Sequence, residues 1–351
     1  MAVARRRSAV VDRYLVTGSA GHLGEALVRT LRDAGHDVVG LDVLDSPFTT
    51  VVGSVTDPDV VATAVAGARY VLHTATLHKP HVGSHGPQAF VDTNVTGTLT
   101  VLAAAAAAGV AGVVFTSSTS AFGRALTPPP GAPAAWLTED VHPVVRNIYG
   151  ATKTAAEDLC ELAHREDGLP VIVLRTSRFF PEGDDRDDVR AAYPDLNVKV
   201  NELLYRRVDI ADVVTAHLAA AQRAGEIGFG RYVVTATTPF GRDDLAELAT
   251  DAPAVVARLF PDQPAVYERL GWRMFRTLDR VYVNARARAE LGWTPRHDFA
   301  TALAHVAAGE DPRSPLAATI GAKGYHDRPT GPYTSGPGAA GARNNTPLGG
   351  N

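Results

Sequence analysis

Tyr149 and Lys153 stand four residues apart in "IYGATKTAAEDL", a stretch that reads as the start of a helix, so their side chains share one face. An ammonium beside a phenol favours the phenolate and draws a tyrosine pKa down from about 10 toward neutrality. Such a group can take a proton from a carbinol while a hydride leaves. "VVFTSSTSAFG" adds Ser117, Ser118, Thr119 and Ser120 at the end of a strand-like run, where a hydroxyl can donate to a substrate oxygen. Taken alone, a Tyr-x-x-x-Lys pair is common and reads more often as a surface tyrosine beside a solvated lysine.

A second constellation lies upstream. "TGSAGHLG", Thr17 to Gly24, carries glycines at Gly18, Gly21 and Gly24. "RYLV" before it reads as a buried strand. "EALVRTLRDAGH" after it places Ala26, Leu27 and Leu31 at helical spacing. The glycines therefore mark a strand-to-helix turn. Glycine allows positive φ and close backbone approach, and free amides at a helix N-terminus suit a pyrophosphate. An ordinary glycine-rich turn would look similar. Asp42, however, ends a second strand 18 residues after Gly24, near the spacing of a carboxylate that holds adenosine ribose hydroxyls. That charge repels a 2′-phosphate, and Val43 and Leu44 follow without a cation to receive one. The expected cofactor is NAD rather than NADP.

The elements that position these residues alternate regularly. Strand-like runs are "RYLVTG", "DVVGLD", "TTVVG", "RYVLHTA", "GVVFTSS", "PVIVLRT" and "GRYVVTA". Helical patterns fall near 22–34, 57–67, 87–109, 149–167 and 210–223. This predicts an α/β fold, a Rossmann-like doubly wound parallel sheet with a smaller C-terminal substrate-binding lobe. The expected division is an N-terminal arm at 1–13, a cofactor domain at 14–176 with a return segment at 208–237, a substrate lobe from 177–207 and 238–310, and a flexible Gly/Pro-rich tail at 311–351.

Bulk properties narrow the partners. A formal net charge of −4 and the lack of a basic stripe argue against nucleic acid. Cys160 is the single cysteine, which excludes an intramolecular disulfide and a cysteine-cluster metal site. "MAVARRRSAVVDR" has no apolar run fit for an export signal, and "TVLAAAAAAGVAGVV" is too short for the ~20 residues of a membrane span. The reading is a cytoplasmic enzyme with a small-molecule substrate and no membrane partner.

As an ordered set, "TGSAGHLG", Asp42, "VLHTAT", "DTNVTGTLTVLAAAAAAG", "FTSSTSAFG", "YGATK", "LRTSRFF" and "VDIADVVTAHL" resemble the extended short-chain dehydrogenase/reductase superfamily, in its NAD-dependent epimerase/dehydratase branch, over roughly 14–300. The resemblance implies hydride transfer at a carbinol of a sugar-like substrate, giving epimerisation or net oxidation or reduction. It implies Ser118, five positions before Gly123, as the catalytic hydroxyl, Tyr149 as acid/base, and Lys153 as the residue that tunes Tyr149 and holds the nicotinamide ribose. Gly18, Gly21, His22, Leu23, Gly24, Asp42, His73, Thr74, Ala75 and Asn94 would line the cofactor, Asn94 reading equally as a capping or core amide. A cofactor-binding regulator without turnover is the reading outside enzymes, and the intact Ser118, Tyr149 and Lys153 oppose it.

Departures from the family pattern bear on the substrate. Thr119 and Ser120 follow Ser118 where the dehydratases carry an Asp-Glu pair, which disfavours dehydration. Arg178 stands near the asparagine usual in the sugar-nucleotide epimerases, and Glu202 near their diphosphate arginine. A smaller polyol, sugar or natural product gains weight. Arg178 would meet an anionic substrate group or pair with "EGDDRDD". "TLHKPHVGSH" places His78, Lys79, His81 and His85 in a loop facing the substrate, or in solvent, without the carboxylate or thiol company of a metal site. The helix around Ala103–Ala108 is apolar over much of its circumference. With the helix from Tyr149, it is the pair that family members commonly use to form a homodimer.

Overall fold

The computed structural model describes residues 11–184 and 186–323. Nine strands occur among them: β1 (Arg13–Thr17), β2 (Asp37–Asp42), β3 (Val51–Val52), β4 (Tyr70–His73), β5 (Gly112–Ser118), β6 (Ala135–Leu137), β7 (Val171–Thr176), β8 (Phe229–Val234) and β9 (Arg280–Tyr282). Seven form one sheet in the order β3-β2-β1-β4-β5-β7-β8, all parallel. These are the seven strand-like runs of the sequence. Their Val, Ile and Leu content suits burial on both faces. Helices His22–Asp33 and Ile210–Ile227 cover one face; Pro58–Val65, Gly97–Ala108 and Ile148–Asp167 cover the other. The order reverses beside β1, and the C-terminal ends of β1, β4 and β5 open onto the crevice where such sheets take ligands.

A second lobe has its own core, with Val200, Leu203, Leu248, Val255, Tyr267 and Phe299 among its buried members. It also draws on the first half of the chain. β6 pairs in parallel with β9, and Ala135 N–H donates to Asp279 O at 2.9 Å. Residues within 14–176 thus build part of the smaller lobe, because β6 finds its partner only after the chain returns.

Three expectations are corrected at the margins. Arg13 belongs to β1, and Asp12 pairs with Arg69 at 2.8 Å, so the arm cannot include them; residues 1–10 lie outside the described residues. The composition of 311–351 suggests no structure, yet Ser314 caps a helix at Pro315–Ile320 whose Ile320 is buried. The remainder, 324–351, lies outside the described residues. Lastly, the apolar alanine helix belongs to a longer helical run, Pro87–Ala108, of 22 residues, which by length and composition alone is long and apolar enough to cross a membrane. It is lengthened by a π-helical segment at Val91–Thr96, and its Val101, Leu102 and Ala105 pack against the sheet.

Candidate active site

Two glycines of the first turn are required by space. Gly18 has φ +70°, and a Cβ there would lie 2.7 Å from Ala75 N. A Cβ on Gly24 would fall 1.9 Å from Gly18 O, so its absence lets the helix close onto the turn. Gly21 is the N-cap of that helix and makes no side-chain bond. Asp42, at the end of β2, accepts from Ala20 N–H at 2.9 Å and Leu44 N–H at 3.0 Å, which fixes its carboxylate beside the turn. This cradle fits a dinucleotide: a tight turn, a helix N-terminus and a carboxylate at one end of a single cleft.

That cleft has a volume of about 1590 Å³ and runs from Asp42 to the second lobe. Gly18, Gly21, His22, Leu23, Gly24, Asp42, Thr74 and Ala75 line it, as do Ser118, Thr119, Tyr149 and Lys153. His78, Lys79, His81 and Arg178 line it too. The sheet produces this convergence: β5 delivers Ser118, and the helix Ile148–Asp167 begins beside it, capped by Asn147 at Gly150 N–H.

Two residues expected at the cofactor, His73 and Asn94, are not among those that line the cleft. His73 is 1% exposed, its ring held between Thr17 Oγ1 at 2.7 Å and Thr98 Oγ1 at 3.1 Å. Burial, with the Lys153 charge adding to it, pushes its imidazole down to about 3, so it is neutral. Asn94 is spent on structure. Its Oδ1 accepts from Leu77 N–H at 2.8 Å and Thr76 Oγ1 at 2.9 Å, while Nδ2 donates to Leu77 O at 2.9 Å and Thr152 Oγ1 at 3.0 Å. It pins the loop after β4 to the helix that carries Tyr149.

The electrostatics of the pair also differ from expectation. Burial pushes the Tyr149 phenol up to about 12, and the Ser118 hydroxyl pulls it the other way. Lys153 Nζ donates to Thr116 O at 2.8 Å and lies 4.7 Å from the Phe115 ring centroid. Burial lowers its ammonium to about 7, with Glu157 drawing it back up. Desolvation thus outweighs the Ser118 hydrogen bond, and the Tyr149 phenol is neutral in this arrangement.

The part of the cleft toward the second lobe contains residues that short motifs do not disclose. Tyr193, Tyr205 and Phe275 bring aromatic rings; Asp184, Arg206 and Arg280 bring charge. Ser177, beside β7, lines the cleft with a buried Oγ that has no hydrogen-bond partner among the described residues. Arg178 pairs with Asp184 at 2.7 Å and with Glu202 at 3.3 Å. Burial works against the Glu202 carboxylate, yet Arg178, Arg206 and Arg207 hold it down to about 2. His78 stacks on Phe180 at 5.2 Å and meets His81 edge-on at 4.6 Å. Among the described residues no group of three or more His, Cys, Asp or Glu could hold a metal ion.

Comparison with known proteins places the chain. It is similar to a 3-beta-hydroxysteroid dehydrogenase of Mycolicibacterium neoaurum, 31% identical over 50% of this chain and 49% of that protein, so the chain spans about half the length of that curated relative. It is 29% identical to a UDP-glucose 4-epimerase of Mycolicibacterium smegmatis over 83% of this chain and 96% of that one. A solved short-chain dehydrogenase/reductase superfamily protein from Agrobacterium tumefaciens with bound NAD shares the fold at a TM-score of 0.59, with 23% identity over 84% of this chain and 96% of that one. The model of the NAD dependent epimerase/dehydratase family matches 14–234, from β1 to the last residue of β8. That span takes in the full width of the sheet, and the chain belongs to the NAD dependent epimerase/dehydratase family.

Proposed function

We propose that this protein transfers hydride at a carbinol carbon of a sugar-like substrate, using NAD, and returns it to give epimerisation. The observation that carries the reading is the convergence of Ser118, Tyr149 and Lys153 in the cleft that the glycine turn and Asp42 also line. Gly18 to Gly24 would hold the pyrophosphate, Asp42 the adenosine ribose, and Lys153 the nicotinamide ribose. When bound, NAD supplies the hydride acceptor. Tyr149 exchanges the proton of the reacting oxygen, and Ser118 donates a hydrogen bond to that oxygen. Lys153, when charged, favours the phenolate needed to take a carbinol proton. The orphaned Ser177 hydroxyl is available for a further oxygen of the substrate. One experiment tests the reading: incubate the protein with a panel of polyols and keto-sugars, and follow both product stereochemistry and absorbance. An epimer formed without net NADH supports it; no turnover dependent on bound or added NAD(H) overturns it.

A second reading, one-way dehydrogenation or keto reduction of a less polar natural product, draws on the aromatic lining by Tyr193, Tyr205 and Phe275 and on the steroid dehydrogenase likeness. Stoichiometric consumption of added cofactor would favour it.

Cofactor choice follows from charge in either case. Asp42, Val43, Leu44 and Asp45 line the adenosine end, so a 2′-phosphate would meet two carboxylates. NADH is expected to bind more tightly than NADPH by about tenfold, equivalent to ~1.4 kcal/mol. Fluorescence titration checks this; equal or tighter NADPH binding contradicts it.

We also propose a homodimer. Leu99 and Leu162 are 51% and 45% exposed on helices that pack side by side, and Ala103, Ala107 and Ala155 extend this apolar surface. Alanine permits close approach across a two-fold axis. Ala105 is buried against the sheet and belongs to the core instead. Leu99→Arg is therefore the informative change: light scattering should show a wild-type dimer and a monomeric variant, and a wild-type monomer at micromolar concentration would refute the proposal.

A further inference from the structure

The cleft has a side that the glycine turn and Asp42 do not supply. Beyond Gly309 the chain turns back over the first lobe. Ser314 donates from N–H and Oγ to the Asp209 carboxylate at 3.1 and 2.6 Å, and its Oγ accepts from Ala317 N–H at 3.0 Å. The helix Pro315–Ile320 then packs on helices His22–Asp33 and Ile210–Ile227. Gly321, at φ +58°, turns the chain, and Lys323 arrives beside the glycine turn, where it lines the cleft. Its ammonium pairs with Glu25. Its backbone N–H donates to Glu182 Oε1 at 3.2 Å, and the same oxygen lies 2.8 Å from His22 Nε2. His22 opens the helix after the glycine turn, Glu182 follows β7, and Lys323 comes from the C-terminal segment. Three stretches distant in sequence meet at one edge of the cleft.

We propose that His22, Glu182 and Lys323 form a clasp over the pyrophosphate end of the cleft, so that NAD(H) exchanges only when the segment 312–323 loosens. The inference rests on the cofactor reading above. Charge gives the clasp its sense. Glu25 places a carboxylate near a turn suited to an anion, and alone it would repel a pyrophosphate, whereas Glu182 meets His22 and the Lys323 N–H and acts as the latch. Arg29 takes one oxygen of Glu25 at 2.7 Å, and Lys323 takes the other. Lys323 thus offsets that repulsion and ties the returning segment to the helix in one contact. The edge of the His22 ring rests against Phe180 at 5.5 Å, which aligns it with Glu182. The Lys323 side chain remains 24% exposed, so its ion pair can break while the buried lobe cores stay intact. A cofactor retained between turnovers suits a reaction that returns hydride to the molecule it came from.

The test uses the full-length protein and NADH as fluorescent probe. Bound NADH is displaced by excess NAD in a stopped-flow instrument, and its dissociation rate is read directly. Lys323→Ala and Glu182→Ala are expected to speed release by about tenfold or more, as for the loss of a hydrogen bond between charged groups. Lys323→Arg should keep release slow. The melting temperature of Lys323→Ala should stay at the wild-type value, because the side chain is partly exposed; a purely structural role would move it and leave the release rate alone. If NADH binds and both alanine variants release it at the wild-type rate, the clasp is overturned while the cofactor reading stands. If the wild-type protein binds no NADH, the cofactor reading falls and the clasp falls with it.

Discussion

Tyr149→Phe is expected to lower kcat by about 10²–10⁴-fold while NADH binding stays at the wild-type level. The ring is 6% exposed, so phenylalanine keeps its packing and removes only the hydroxyl. That hydroxyl is the candidate acid/base facing the Ser118 side chain. Because the interaction belongs to the reacting oxygen, kcat and kcat/KM should fall together rather than KM alone. The rates are measured with whichever alcohol or ketone supports wild-type turnover. Lys153→Ala should behave differently. It removes the ammonium on Thr116 O, beside the position assigned to the nicotinamide ribose, so it should weaken cofactor binding as well as rate. A Tyr149→Phe protein that keeps more than about a tenth of wild-type kcat would remove Tyr149 from the chemistry.

The parts legible in the sequence are those whose geometry is local. A strand followed within a few residues by a helix fixes where Gly18, Gly21 and Gly24 must lie, and a four-residue spacing fixes Tyr149 and Lys153 on one face. The seven sheet strands show themselves by β-branched runs buried on both sides. Side-chain aim is a different matter. His73 and Asn94 sit next to cleft residues in the chain, yet they turn to Thr17, Thr98, Leu77 and Thr152, since each had polar partners to satisfy in the interior. Spacing alone could not tell a ligand contact from a satisfied core group. The Tyr149 phenol is a related case: a Tyr-x-x-x-Lys motif reports proximity, whereas the burial that pushes the phenol up depends on what the rest of the chain packs over it. The second lobe was the least visible part. Tyr193, Tyr205, Phe275 and Lys323 reach the cleft from segments that only tertiary structure joins. Composition misjudged 311–323, because a short capped helix needs little more than Leu316, Ala317 and Ile320 to dock.

Arg175→Met is expected to destabilise the fold by about 3–5 kcal/mol, since it strands a buried carboxylate. Glu157 follows Lys153 by one turn of the same helix, and its side chain is 1% exposed. Arg175, on β7, meets it through Nη2 at 2.7 Å and through Nε at 3.1 Å, with its own side chain 4% exposed. Ser117 Oγ donates to Glu157 Oε1 at 2.5 Å, and Arg231 Nε lies 3.3 Å from Oε2. This network joins β5, β7 and β8 to the helix that carries Tyr149 and Lys153. Methionine replaces the aliphatic stem of the arginine but supplies no charge or donor, and it lacks the guanidinium that lies over the Phe122 ring at 4.9 Å. Of the two arginines that meet Glu157, the partly exposed Arg231 then remains, at 3.3 Å, and the burial of a charge dominates the balance. The second variant separates charge from packing. Arg175→Met with Glu157→Gln keeps an acceptor for Ser117 and removes the stranded charge, so it should recover most of the loss. Urea denaturation of the full-length protein reads both midpoints. A single variant within about 1 kcal/mol of wild type, or a double variant no more stable than the single, would show that the pair does not hold the helix in place. The same pair acts on the chemistry through Lys153, whose ammonium Glu157 draws up against the effect of burial. In the double variant, Lys153 should therefore lose its charge at a lower pH than in the wild type, and the pH profile of turnover should move with it.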